Sequence, residues 1–141
     1  EVLPEEVPLV EVERKLFLTP EQQKALRSNF PVSQQKKMQD VYYDTKDCTL
    51  TTQDLWLRQR DASWELKVPF SSHDALGTQS YEEIVGEQAV LEWLQLSGYL
   101  SAKTQAQESK GGLDSSLVAS GYAPFAKLTT ERNSLTASVE A

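Results

Sequence analysis

The stretch Val10-Glu11-Val12-Glu13-Arg14-Lys15-Leu16 decides how the rest of this chain is read. Taken as a β-strand, whose side chains alternate between faces, it sets Glu11, Glu13 and Lys15 on one side. Val10, Val12 and Leu16 fall on the other, with Arg14 as the charged exception. A carboxylate pair on rigid backbone suits a hard divalent cation such as Mg²⁺, and a lysine beside it suits the phosphate oxygens that such a cation accompanies. A half-buried strand whose charged face is merely solvated shows the same alternation. The pattern gains meaning only where other strands repeat it.

Working outward, Val41-Tyr42-Tyr43-Asp44-Thr45 is rich in residues that favour pleated structure, and a turn around Lys46-Asp47 follows. In Leu55-Trp56-Leu57-Arg58-Gln59-Arg60, Trp56, Arg58 and Arg60 share a face opposite Leu55 and Leu57. After a tight turn at Asp61-Ala62-Ser63, Trp64-Glu65-Leu66-Lys67-Val68-Pro69 sets Glu65 and Lys67 opposite Trp64, Leu66 and Val68. The hairpin therefore points two guanidinium groups and one ammonium into one space. Ser80 to Ile84 reads as a short strand with Tyr81 and Glu83 on one side, and Pro124 to Thr136, carrying Lys127 and Arg132, as the last.

Three helices fit between the strands. Thr19-Pro20-Glu21-Gln22 is a helix start, with Thr19 as N-cap and Gln22 three residues on; Ala25, Leu26 and Phe30 supply an apolar side before Pro31 ends it. This helix is expected to cover apolar strand surface. Gly86-Glu87 opens a second, whose Val90, Leu91, Trp93, Leu94 and Leu96 form a broad core stripe ending at Gly98. Leu113 to Ala119 forms a third before Gly121.

With 141 residues, 39% of them hydrophobic, the chain is read as a single domain, 1–141, with a loose lead-in at 1–8 and an exposed connection at 101–112. No apolar run approaches the roughly eighteen residues of a membrane span, and the acidic, proline-bearing start is unlike a signal sequence. Cys48 is the only cysteine, so no internal disulfide can form and a reducing, cytoplasmic compartment is expected. The only histidine, His73, lies among serines and is given no role. A net charge of −7 argues against a nonspecific nucleic-acid binder, which needs surplus Lys and Arg to displace counterions. Any basic site must be a local concentration.

Summed over the strands, one set of faces is apolar, while the opposite set holds Glu11, Glu13, Lys15, Arg58, Arg60, Glu65, Lys67, Glu83 and Arg132. Such a cluster is costly to desolvate unless its charges pair with one another or with a bound ion and ligand. About five cations around a triphosphate, each attracting it by roughly 1 to 4 kcal/mol, would select strongly by charge.

In order and spacing, Glu11-x-Glu13-x-Lys15, Tyr42-Tyr43-Asp44-Thr45, Trp56-Leu57-Arg58-x-Arg60 and Trp64-Glu65-Leu66-Lys67-x-Pro69 resemble the CYTH superfamily of triphosphate tunnel metalloenzymes, and within it the thiamine-triphosphatase branch. The resemblance implies an α+β fold, an antiparallel barrel forming a tunnel with flanking helices. Only about five of its eight strands are read here, so the barrel is expected to be incomplete at its C-terminal side. Family members are monomers; open barrel edges would offer a route to self-association.

By the same resemblance Glu11, Glu13 and Glu83 bind Mg²⁺ or Mn²⁺, and Lys15, Arg58, Arg60, Lys67 and Arg132 hold the triphosphate. Lys67, Arg58 and Tyr43 are cast as catalytic. Trp56 offers its ring to the cationic thiazolium of thiamine. The implied reaction is metal-dependent hydrolysis of the terminal phosphate of thiamine triphosphate, a small-molecule substrate, with neither nucleic acid nor membrane as partner. The alternatives are an inorganic triphosphatase, an adenylate cyclase of the same fold, or a non-catalytic triphosphate- or nucleotide-binding module.

Overall fold

Among the residues that the structure describes, the alternating stretches form six antiparallel strands in one sheet. The structure is a computed structural model that describes residues 10–13, 15–70, 79–101 and 112–137, with backbone alone for residues 10–13 and 79. The expectations for 1–8, Arg14, His73, most of 101–112 and the last residues before the C-terminus lie outside the described residues. So do the side chains of Glu11 and Glu13.

The strands in chain order are β1 (Val10–Glu13), β2 (Val32–Thr45), β3 (Trp56–Arg60), β4 (Ser63–Pro69), β5 (Gln79–Val85) and β6 (Tyr122–Leu135). Across the sheet they run β1-β5-β4-β3-β2-β6. Among the described residues this α+β arrangement has six strands where the sequence suggested about five, and β1 and β6 stand at its two ends. Among the described residues the sheet is open. No helix among them is long and apolar enough to cross a membrane.

β1 is shorter than the sequence suggested. Its ladder stops where β5 begins, Glu13 lying opposite Gln79. Leu16, expected on an apolar strand face, therefore lies beyond the strand and is exposed. β2 is longer than expected, because its first half pairs with β6 from Val32 onward. Between Tyr42 and Tyr43 the register shifts, so that Phe125 of β6 is the extra residue of a bulge. A bulge bends the strand and re-aims the inserted side chain.

One face of the sheet is apolar, as the alternation requires. Leu57, Trp64 and Leu66 from β3 and β4 pack under α2 (Glu87–Leu96) and α3 (Gly112–Ala119), meeting Val90, Leu94 and Leu117. Each fully buried Leu or Val contributes roughly 1.5 to 3 kcal/mol through burial. Glu87 Oε1 accepts the Leu113 backbone N–H at 2.9 Å and so ties the two helices together.

The helix α1 (Pro20–Asn29) begins as read. Thr19 Oγ1 accepts the Gln22 backbone N–H at 3.2 Å, and Gln22 Oε1 accepts that of Thr19 at 2.9 Å. Its expected task is corrected, because none of its residues is buried and it covers no core strand. With eight polar or proline positions among ten, it has too little apolar surface to displace α2 and α3 from the sheet. Leu26 instead lines a shallow groove with Leu16, Phe17, Leu18 and Leu135.

Candidate functional site

Directly opposed residues of antiparallel strands share a face, so the register collects the charged side chains. Asp40 lies opposite Arg60, Tyr42 opposite Arg58, Arg58 opposite Glu65, Trp56 opposite Lys67, and Lys67 opposite Glu83. At the β1 end, Glu11 occupies the register position opposite Tyr81. At the other end Arg132 pairs with Lys36. This is the face turned away from α2 and α3.

Over it opens a cavity of about 460 Å³. Lys15, Arg58 and Lys67 supply its positive charge, Tyr42, Trp56, Tyr81 and Phe125 its aromatic wall, and Asp54 its carboxylate. The strand alternation delivers Arg58 and Lys67, the chain beyond β1 delivers Lys15, and the β6 bulge delivers Phe125.

Arg58 is the buried centre. Its Nε and Nη2 both approach Glu65 Oε2 at 2.7 Å, and Nη2 donates to Glu83 Oε1 at 3.2 Å. Burial works against its charge, but hydrogen bonds to the Tyr42 hydroxyl and to Glu65 outweigh it, holding the guanidinium above its ordinary range and permanently charged. Beside it Arg60 makes a bidentate fork on buried Asp40, Nε to Oδ1 at 2.7 Å and Nη2 to Oδ2 at 2.9 Å. That fork brings the Asp40 carboxyl below its usual range in spite of burial. Lys67 Nζ sits 5.8 Å from the centre of the Tyr81 ring, within reach of a cation–π attraction.

The structure brings Lys15, Trp56, Arg58 and Lys67 to the cavity. Arg60 and Glu83 belong to the ion-pair network of the same face, and Arg132 lies farther along it, exposed on β6. Tyr43 is placed elsewhere. The alternation that puts Tyr42 beside Arg58 sends Tyr43 to the core face, where its ring lies 4.9 Å from that of Trp64. Sequence reasoning missed Tyr42, Asp40 and Asp54. The parity of Tyr42 with Arg58 could have been found from a pairing register, whereas Asp54 sits in a turn that alternation does not describe.

On this face Asp40, Asp54, Glu65 and Glu83 are each engaged. Glu65 and Glu83 accept from Arg58, Asp40 from Arg60, and Asp54 from Trp56 and Tyr81. Among the described residues no three carboxylate, imidazole or thiolate groups are spaced to hold a metal ion. By themselves, then, they do not fit a divalent cation. The expectation of Mg²⁺ or Mn²⁺ rests on Glu11 and Glu13, with Glu83 committed to Arg58.

The sequence profile of the CYTH domain matches residues 9–138. The thiamine-triphosphatase of Homo sapiens is 35% identical over 86 residues, and that of Macaca fascicularis 33% identical over 85. Each match covers 59% of this chain and 37% of the relative, so the matched region is well under half the length of those proteins. A solved structure of a candidate adenylate cyclase from Bacillus halodurans superposes with a TM-score of 0.47 at 17% identity, over 90% of this chain and 65% of that one.

Proposed function

The chain belongs to the CYTH family, and from that premise we propose that its cavity binds a small-molecule triphosphate, thiamine triphosphate, and serves hydrolysis of the terminal phosphate. One observation carries the reading: Lys15, Arg58 and Lys67 share a single cavity with an aromatic wall. The cations would hold the phosphate chain, and Trp56 would meet the flat cationic head of thiamine, an attraction of roughly 0.5 to 2 kcal/mol.

Within this reading each residue has a physical task. Arg58, fixed by two carboxylates, presents its charge without reorganisation, the condition under which electrostatic stabilisation of a transferred phosphoryl group is strongest. Lys67 and Lys15 neutralise charge on the leaving diphosphate. Arg60 keeps Asp40 paired and stiffens the strand on which Arg58 stands.

Charge balance gives a reason to test for an added cation. Lys15, Arg58, Arg60 and Lys67 are matched by Asp40, Asp54, Glu65 and Glu83, so a triphosphate brings negative charge that these side chains do not offset. A divalent cation held toward Glu11 and Glu13 would supply that neutralisation when bound.

The test is phosphate release from thiamine triphosphate in Mg²⁺, in Mn²⁺ and in chelator. Metal-dependent release, lowered about 100-fold by Lys67→Ala, is expected. Absence of release above background would rule out turnover by this chain, and triphosphate binding without turnover would mark a binding module instead.

A further inference from the structure

Asp54 closes the 3₁₀ turn Thr51–Gln53 in left-handed backbone, φ 57° and ψ 32°, a conformation that Asp and Asn accept more readily than most residues. From there its carboxylate joins two strands that are not neighbours. Oδ1 accepts the indole Nε1–H of Trp56 on β3 at 2.7 Å. The Tyr81 hydroxyl on β5 donates to Oδ2 at 3.1 Å and approaches Oδ1 at 3.3 Å. β4 runs between them.

All three residues line the cavity. Trp56 is 36% exposed, so packing alone does not select its rotamer. Its ring is instead held at two points, by the carboxylate at its N–H and by Tyr42 in a T-shaped contact at 6.4 Å. Tyr81 lies under the Lys67 ammonium, so the same carboxylate also steadies a ring beside one of the phosphate-facing cations.

We infer that Asp54 is a positioning residue that fixes the Trp56 and Tyr81 rings, and thereby sets the preference of the cavity for a triphosphate bearing a flat organic cation over one with no organic group. This rests on the functional reading above. Loss of a charge-assisted hydrogen bond to a group that touches ligand corresponds to about a tenfold change in affinity.

The experiment uses the full chain and three forms: wild type, Asp54→Gly, which suits the left-handed backbone but removes the side chain, and Asp54→Asn, which keeps the shape and one acceptor oxygen. Calorimetry measures the affinity for thiamine triphosphate relative to that for inorganic triphosphate. NMR follows the Trp56 indole N–H, assigned through Trp56→Phe. The expected result is a ratio about tenfold lower in Asp54→Gly, with the indole resonance shifted upfield and exchanging faster, and both properties largely restored in Asp54→Asn. A ratio within twofold of wild type in Asp54→Gly, an unmoved indole signal, or an equal loss in Asp54→Asn would overturn the positioning role. Wild-type protein that takes up neither ligand would overturn the functional reading itself, and the specificity role with it.

Discussion

Asp44 and Asp40 show how single carboxylates hold this site's framework. Asp44, buried, accepts the backbone N–H groups of Thr45 at 2.7 Å and of Leu50 and Thr51 at 3.0 Å, anchoring the turn from which Asp54 and β3 depart. Burial pushes its carboxyl up, yet those donors bring it below the usual range, while Asp40 is brought down by its fork on Arg60. Asp44→Ala leaves these donors without their acceptor and is expected to cost about 2 to 4 kcal/mol in urea unfolding. Both carboxyls titrate lower in the folded state than in the unfolded chain. Their stabilisation is therefore complete above the unfolded carboxyl value near 3.9 and is lost as pH falls through the folded values. Urea midpoints should hold steady from neutral pH to about 5 and fall below about 4, and Asp40→Asn should flatten that acid limb. At this scale the sequence was informative about Arg58 and Lys67, whose faces follow from alternation alone. It misled at Tyr43, because the four adjacent residues Tyr42-Tyr43-Asp44-Thr45 offer no parity until β3 supplies one through the pairing of Tyr42 with Arg58.

Among the elements, the β3–β4 hairpin and α2 could be read in advance because each alternates or repeats cleanly against one buried face. The first half of β2 could not. Val32 to Lys37 is exposed throughout, so no buried face imprints a period on Ser33-Gln34-Gln35-Lys36-Lys37, and its strand form comes from pairing with β6. The start of α1 was legible from its capping residues, but its position was not, since capping is local and packing depends on the whole. A helix with no buried residue is weakly coupled to the core. Thr19→Ala should therefore cost about 1 kcal/mol locally, seen as faster amide exchange within α1. The global unfolding free energy from urea titration should fall by less than about 0.5 kcal/mol. A large global loss would mean that α1 packs against something that the sheet depends on.

Taken as a whole, the molecule puts its apolar face under α2 and α3 and its charged face toward a cavity, and this division is what the alternating strands encode. That β1 and β6 end the sheet among the described residues is not written in any local pattern; it follows from which strands find partners. The central claim is that cations from separate strands act together on one polyanion. Titration of inorganic triphosphate into wild type, Arg58→Gln and Lys67→Gln, each first shown to be folded by circular dichroism, tests it most directly. Binding by wild type that weakens at least tenfold in both variants is the predicted result, and binding that is absent in wild type or indifferent to both substitutions would contradict it.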